Sequence, residues 1–263
     1  RWVLFAWCAG VGALAVVMPV LVLVQASFAK AWGRGLALDN FTLRNYALLL
    51  FEHEMALTSV WNTIWFSAAA ATLAGAIALL VAYLVNRRLV PFGEVLGFLC
   101  MAPFVIPGIV MAIGFYAAYA SPPLALYGTA TLLILAFTAR FLPIAYANSQ
   151  AAVRALHPEM EEAARILGAG RLQSIARITA PLLKKSLLGG WLIVFIVASR
   201  ELSAAVFLVG PRTRTMSVLL YDLSEAGNFE VLAAFGGILL AITLVLVAIG
   251  MKLAGRDFML RRE

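Results

Sequence analysis

Glu162-Ala163-Ala164-Arg165-Ile166-Leu167-Gly168, followed after nine residues by Ile178-Thr179-Ala180-Pro181, lies between two strongly apolar stretches of a 263-residue chain. These residues belong to a charged, helix-forming insert, residues 150–181 (the insert). Connections between neighbouring helices are usually about 2–8 residues long. An insert of this length and charge therefore predicts a dedicated role.

Composition places the rest of the chain in a lipid bilayer. Hydrophobic residues make up 63% of the chain and charged residues 13%, whereas an average soluble domain is about 25% charged. No soluble core of this size could bury so much apolar surface. The first apolar stretch is uncharged from Trp2 to Ala29, longer than the ~7–15-residue core of a secretory signal, so we interpret it as a retained span.

Six apolar stretches are long enough for bilayer-crossing helices, which need about 20 residues each. The predicted spans are residues 2–28, 55–85, 95–119, 124–149, 182–209 and 231–251. Continuous apolar runs exclude a membrane barrel, whose strands are short and alternate in polarity. The sequence therefore predicts an all-α, polytopic membrane protein with a single transmembrane domain, residues 1–263.

Basic residues are distributed unequally between the two faces that six spans define. Thirteen cations lie on one face and five on the other. The larger set consists of Arg1, Arg87, Arg88, Arg154, Arg165, Arg171, Arg177, Lys184, Lys185, Lys252, Arg256, Arg261 and Arg262. Because Lys and Arg collect on the cytoplasmic side of membranes, this face, with both termini and the insert, is predicted to be cytoplasmic. The net charge of +7 then needs no nucleic acid partner.

The insert has the local signals of two short helices joined by a bend. Pro158 suits the first helical position, and three glutamates follow in the first turn, where the helix dipole favours negative charge. Gly168 can end this helix, residues 171–179 are amphipathic, and Pro181 is expected to separate them from the next span. A hairpin lying on the lipid surface is the alternative interpretation.

The spelling E-A-A-x-x-x-G, then nine residues, then I-x-x-P resembles the cytoplasmic coupling loop of ABC importer permeases of the type I fold. Ala180 departs from the family pattern, which usually has leucine there. The resemblance implies that the insert docks into a cleft of an ATP-binding subunit, with Glu162 paired to a basic residue. The implied ATPase-docking residues are Glu162, Ala163, Ala164, Gly168, Ile178 and Pro181.

The chain itself lacks the residues that nucleotide chemistry needs. None of its four lysines follows a glycine, so there is no G-x-x-x-x-G-K-[ST] phosphate loop. We therefore expect a transport subunit rather than an enzyme, with no catalytic residue, metal site or cofactor of its own. The resemblance implies three protein partners: an ATPase dimer that binds ATP and Mg²⁺, a second permease half, and an extracytoplasmic solute-binding protein.

Charged and helix-breaking residues inside the predicted spans are candidates for the translocation path or its gate. A charge at mid-bilayer costs ~2.5–3.5 kcal/mol, so Arg140, Arg200 and Glu201 should face protein or a water-filled cavity. Pro103 and Pro107 break the third span, and transporters commonly place such breaks at binding sites. A fixed structural ion pair and a simple packing kink are the alternatives.

Residues 213–227 are amphipathic and too short to cross the bilayer. The corresponding outer loop of the importer family contacts the solute-binding protein, which implies such contacts for Arg212, Arg214, Tyr221 and Asp222. An interfacial helix packed on the bundle is the alternative.

Several short motifs resemble the ferric-iron branch of this family. They are Ser27-Phe28 with Trp32-Gly33, Asn62-Thr63, Ala82-Tyr83, and Arg200-Glu201-Leu202-Ser203 with Gly210-Pro211. The resemblance implies ferric iron as the solute and a bacterial inner membrane as the location. In the iron branch two such units are often fused, and this chain resembles the second unit. Importers of polyamines, thiamine or phosphonates share many of these features. An ion-coupled secondary transporter is the rival class, but it would need coupling acids or repeated halves.

Overall fold

The computed structural model describes residues 1–166 and 168–254, and those residues form helices and loops without a β-strand. Leu167 and residues 255–263 lie outside the described residues, and with them three predicted cytoplasmic cations, Arg256, Arg261 and Arg262. The chain divides into two compact units. Unit 1 comprises residues 1–61 and 214–244, and unit 2 comprises residues 62–213 and 245–263.

Within the described ranges, five helices are long and apolar enough to cross a membrane, and a bent pair of shorter helices makes a sixth candidate. In chain order, spans 1 to 6 are Trp2–Ser27, Glu54–Asn86, the pair Gly93–Phe104 and Gly108–Tyr119, Ala130–Arg154, Arg177–Ser199, and Phe229–Ala254. The shorter helices include Arg44–Ala47, Glu159–Ile166, Arg171–Ser174, Ala205–Leu208 and Met216–Glu225. The predicted all-α class is confirmed.

Span 3 is broken far more sharply than a packing kink. Its two helices meet at 110° around residues 105–107. Pro103 lies in a 3-10 turn that ends the first helix, and Pro107 immediately precedes the second. Because proline lacks an N–H group, it cannot continue the helical ladder. The Gly108–Tyr119 helix has 12 residues and covers about 18 Å, too little to cross a bilayer alone.

Span 4 begins and ends later than the expected 124–149. Gly128 has φ +73°, a left-handed conformation that a helix interior excludes. The side chain of Thr129 then caps the helix by accepting a hydrogen bond from the backbone N–H of Leu132 at 3.3 Å. The helix continues through Pro143 as far as Arg154, so the first residues of the insert belong to span 4.

Span 5 ends earlier than the expected 182–209, at Ser199. One carboxylate oxygen of Glu201 accepts a hydrogen bond from the backbone N–H of Ala204 at 2.9 Å. A side chain that binds the nearby backbone in this way stabilises a turn in place of further helix. Arg200 and Glu201 therefore lie at the end of span 5 and not inside it.

Pro181 does not separate the insert from span 5, contrary to the prediction. The backbone stays helical from Arg171 to Ser199, through a π-helical turn at Ile175–Thr179. Pro181 lies in the first turn of the α-helix Ala180–Ser199, where a missing N–H costs little. The second arm of the insert and span 5 thus form one continuous helical segment.

The predicted amphipathic segment 213–227 contains the helix Met216–Glu225, which packs in unit 1. Its Met216, Leu219 and Leu223 lie on one face of the helix and join Leu49 and Phe235 in a buried cluster. In unit 2, span 2 buries a stripe of small side chains, which allows neighbouring helices to approach closely. This stripe consists of Ala70, Ala71, Ala74, Ala78 and Ala82.

Candidate functional site

The structure brings together two of the predicted path residues, Arg140 and Glu201. The Nε–H of Arg140 donates a hydrogen bond to Oε2 of Glu201 at 2.9 Å. The Glu201 side chain is 8% exposed, and its other oxygen holds the N–H of Ala204. Arg140 lies about 15 Å along span 4, near its middle. The pair therefore places a compensated charge deep in unit 2.

Gly108 makes room for this ion pair. A Cβ atom at Gly108 would lie 2.8 Å from Cζ of Arg140 and 2.9 Å from Cβ of Ser203. Gly108 is also the first residue of the second helix of span 3. The break in span 3, the middle of span 4 and the end of span 5 consequently meet at four residues. We call Gly108, Arg140, Glu201 and Ser203 the junction.

The other predicted path residues lie around the junction or outside it. Pro107 directly precedes Gly108 in the break, whereas Pro103 is half-buried in the preceding turn. Arg200 is exposed at the end of span 5 and is not part of the junction. The guanidinium of Arg140 also lies 5.9 Å from the ring centre of Phe141.

Three of the predicted ATPase-docking residues line one pocket on the insert. Ala164, Gly168 and Ile178 surround a concavity of about 260 Å³ together with Gln173 and Arg177. Gly168 has φ +91°, which favours glycine, and the N–H of the next residue returns to the carbonyl of Ala164 at 3.0 Å. The glycine thus turns the chain so that the two arms of the insert face each other.

The remaining docking residues are distributed over two surfaces. Glu162 and Ala163 are exposed on the helix Glu159–Ile166, beside the pocket residue Ala164. Pro181 is exposed as well, but it lies in the first turn of the α-helix Ala180–Ser199 and lines a different surface depression with Trp191.

Two arginines hold the start of the insert against the end of span 2. An Nη–H of Arg87 donates to the carbonyl of Leu156 at 3.2 Å. The Nε–H of Arg154 donates to the side-chain oxygen of Asn86 at 3.1 Å. In the sequence, both arginines contribute only to the predicted cytoplasmic charge. Their distance along the chain from the E-A-A motif gives no indication of these contacts.

The predicted binding-protein contacts differ in how they are held. Arg214 forms an ion pair with Asp222 on the helix Met216–Glu225, and Tyr221 beside it is exposed. Arg212, in unit 2, is exposed, and its backbone carbonyl accepts a hydrogen bond from the side-chain amide of Asn62 at 3.1 Å.

Unit 2 also contains an apolar cavity of about 280 Å³ that the sequence analysis missed. Its walls come from spans 2, 4 and 5 and include Thr72, Gly75, Asn148 and Trp191. The indole N–H of Trp191 donates to Oγ1 of Thr72 at 3.0 Å. Small residues spaced four apart on span 2, Ala71 and Gly75, are the signal that could have indicated close helix packing here.

Comparison with known sequences gives a consistent set of relatives. Residues 74–256 match the family described as binding-protein-dependent transport system inner membrane component. The ferric transport system permease protein FbpB of Actinobacillus pleuropneumoniae is 32% identical over 223 residues, 84% of this chain and 32% of that protein. The chain thus spans about a third of the length of this relative. The spermidine/putrescine permease PotC of Escherichia coli K12 is 27% identical over 91% of this chain and 89% of its own length.

Two solved structures share the fold. The bacterial alginate ABC transporter, in complex with a periplasmic protein bound to alginate pentasaccharide, contains a chain that matches 98% of this chain and 96% of its own length. That match has a TM-score of 0.77 at 18% sequence identity. A chain of the inward-facing MetNI methionine ABC transporter matches 84% of this chain with a TM-score of 0.64 at 16% identity.

We predict that Arg140 and Glu201 are energetically coupled. Glu201→Gln and Arg140→Gln should each lower the free energy of unfolding. The double variant should lose less stability than the sum of the two single losses. We expect a coupling free energy of about 1–3 kcal/mol, below the ~3–5 kcal/mol for breaking a fully buried pair because Arg140 is partly exposed. A double-mutant cycle of unfolding in lipid nanodiscs measures it. The exposed Arg200→Gln is the control, and strictly additive effects would contradict the coupling.

Proposed function

This chain belongs to the family of binding-protein-dependent transport system inner membrane components, and we propose that it forms half of the translocation path of an ATP-driven importer. In this proposal a second permease unit supplies the other half, a separate ATPase dimer hydrolyses ATP, and a solute-binding protein delivers the solute. The alginate ABC transporter, whose fold this chain shares, was solved with a periplasmic protein bound. That complex supports a solute-binding protein as one partner here.

The observation that carries the proposal is the pocket on the insert. Residues as far apart as Ala164 and Ile178 line one concave surface, and Glu162 is exposed beside it. A partner surface that covers this pocket can also extend to the exposed Glu162 on the same helix. We infer that the ATPase binds here, and that the bound ATP and Mg²⁺ belong to the ATPase alone.

The continuous helix from the insert into span 5 gives the mechanical route. A push on the pocket acts on Arg177 and Ile178, which already belong to the helical segment that ends at Ser199. The distance from Ile178 to Ser199 is about 32 Å at 1.5 Å per residue. Glu201 of the junction follows two residues later. Movement of the insert would therefore act directly on the Arg140–Glu201 pair.

We propose that the junction is the gate of the path. With Arg140 paired to Glu201, the break in span 3 is held against spans 4 and 5, and the path is closed. Displacement of span 5 separates the pair, and the freed guanidinium and carboxylate then face the opened path. Nucleotide state and docking of the solute-binding protein would bias the same two-state equilibrium. Pro103 and Pro107 provide the break in span 3, and the helix bends at this break during the movement.

Contacts with the solute-binding protein are proposed at Tyr221 and the Arg214–Asp222 pair of unit 1 and, separately, at Arg212 of unit 2. Tyr221 is exposed on a helix whose opposite face is fixed in the core of unit 1. A rigid helix of this kind can receive a partner at little conformational cost. In the same orientation, both termini and the insert lie in the cytoplasm of a bacterium, in agreement with the excess of basic residues there.

Ferric iron is the solute that the relatives favour. The FbpB permease is 32% identical, against 27% for PotC and 25% for the putative 2-aminoethylphosphonate permease PhnV of Salmonella paratyphi A. A polyamine or a phosphonate is the second candidate, because PotC and PhnV match over 89% and 86% of their own lengths.

We predict that Glu162→Gln weakens ATPase binding by about tenfold or more, since a hydrogen bond to a charged group contributes about 1.5–3 kcal/mol. Gly168→Ala should have a similar effect, because alanine is strained at φ +91°. Co-purification of the ATPase and solute-stimulated ATP hydrolysis measure both. Glu159→Gln, at another exposed glutamate on the same helix, is the matched control. Undiminished ATPase binding by both variants would refute docking at the insert.

We predict that Glu201→Gln uncouples ATP hydrolysis from transport. The neutral amide binds Arg140 more weakly than a carboxylate does, so the closed state is less favoured. Uptake per ATP hydrolysed by the reconstituted complex should fall severalfold while the ATPase still co-purifies. Arg200→Gln, which leaves the junction intact, should transport normally. An unchanged ratio for Glu201→Gln removes the junction from the mechanism and leaves it a structural ion pair.

We predict that vesicles with the reconstituted complex and its solute-binding protein accumulate ferric iron in an ATP-dependent manner. An excess of spermidine or 2-aminoethylphosphonate should not compete. Vesicles whose complex carries Gly168→Ala provide the matched control for passive leakage. Accumulation of either competitor instead of iron would overturn the choice of solute but leave the importer assignment intact.

A further inference from the structure

The segment that follows span 1, residues 28–52, buries polar side chains and exposes apolar ones. Asn40 and Asn45 are only 1% and 9% exposed. Leu36 and Leu38 are 73% and 92% exposed. A loop in water normally has the opposite arrangement, because amides are well hydrated and leucine is not. The medium around this segment is therefore expected to be at least partly apolar.

The buried asparagines hold this segment in one defined conformation. Oδ1 of Asn40 accepts hydrogen bonds from the N–H groups of Lys30 at 3.1 Å and Ala31 at 3.0 Å. Its Nδ2 donates to the carbonyls of Ala31 at 3.1 Å and Gly35 at 3.0 Å. All four contacts close the same loop. The exposed leucines are thus presented by a fixed backbone.

The segment is also fixed to the ends of two spans of unit 1. Nδ2 of Asn45 donates to the carbonyls of Ser27 at 3.0 Å and Ala29 at 2.9 Å, where span 1 ends. The backbone N–H of Trp32 donates to a carboxylate oxygen of Glu230, and its ring lies 6.2 Å from that of Phe229, where span 6 begins. Both spans leave the hydrocarbon layer at such ends, so the segment is held at the level of the membrane boundary.

The outward side chains have the composition of a membrane interface. Large apolar side chains are exposed along the segment together with charged ones. The apolar residues are Trp32, Leu36, Leu38, Phe41, Leu43, Leu50 and Phe51, and the charged residues are Lys30, Arg34, Arg44, Asp39 and Glu52. Tryptophan is enriched at the headgroup level, and basic side chains with leucine and phenylalanine are typical of segments that lie in the interface.

We propose that residues 28–52 form an interfacial foot, which lies in the headgroup layer at the end of span 1. Leu36 and Leu38 enter the boundary of the acyl chains, and Arg44 contacts lipid phosphates, whereas Lys30 and Arg34 already bond to Asp39 within the segment. The occupant of this surface is lipid and not a protein. Span 1, on which Trp2, Leu14 and Leu21 are also exposed, continues directly into the foot. This assignment depends on the membrane location of the chain and not on its solute or its ATPase.

Site-directed spin labelling of the full chain in lipid nanodiscs tests the foot. Cys8 and Cys100 are first replaced by alanine, and single cysteines are introduced as Leu38→Cys, Val16→Cys and Ser224→Cys. Val16 is an exposed position in the middle of span 1, and Ser224 is an exposed position on the helix Met216–Glu225. The measured quantity is the ratio of accessibility to oxygen, which concentrates in lipid, over accessibility to a water-soluble nickel chelate.

We expect the ratio at position 38 to lie between those at positions 16 and 224, and severalfold above the latter. Leu36→Cys provides a second position if Leu38→Cys fails to fold, and it should give the same result. As a further readout, Asn40→Ala should lower the ratio at position 38 because it releases the loop that holds the leucine. A ratio at positions 36 and 38 equal to that at Ser224 overturns the proposal, and leaves the exposed leucines to a protein partner.

Discussion

A charge inside a membrane must be compensated by the protein itself, and the contact between Arg140 and Glu201 meets this requirement. The carboxylate is almost fully buried and uses both oxygens, one for the guanidinium and one for a backbone N–H. This second contact stabilises the turn that follows span 5, and the space for the guanidinium exists only because residue 108 has no side chain. The break that the prolines make in span 3 and the turn after span 5 therefore both help to accommodate one ion pair.

The same requirement explains why the polar chemistry of the chain is concentrated where helices stop. In an unbroken helix the backbone N–H and C=O groups bond to one another, so few of them are available to side chains. At Gly108 and at Ser199 the helical ladder is interrupted, and freed backbone groups become available to side chains. A transport protein needs such places because a solute can be held and released only where polar groups are not already committed to helix. The junction has this property, whereas the uninterrupted middle of span 2 does not.

Composition and apolar length were sufficient to predict the class, and the prolines of span 3 correctly indicated its break. Helix ends were harder because they depend on contacts distant in sequence or on one side chain. The side chain of Glu201 stabilises the turn after span 5 by its hydrogen bond to the backbone of Ala204. Hydropathy gives no indication of such a contact. Pro181 was expected to stop a helix, yet a proline in a first turn is tolerated when a π-helical turn precedes it. Gly108 had no signal at all, since its neighbours Arg140 and Ser203 are far away in sequence.

The continuity of the insert with span 5 bears on how an importer of this kind would convert binding into movement. Two helices separated by a flexible proline joint would absorb a displacement at the joint, and little of it would reach the membrane. A helical segment without such a joint transmits displacement along its axis, because compressing it requires breaking backbone hydrogen bonds in series. The π-helical turn at Ile175–Thr179 is the one place in the described part of this segment where the register changes. It lies at the pocket itself, so any compliance is at the point of contact and not between the contact and the junction.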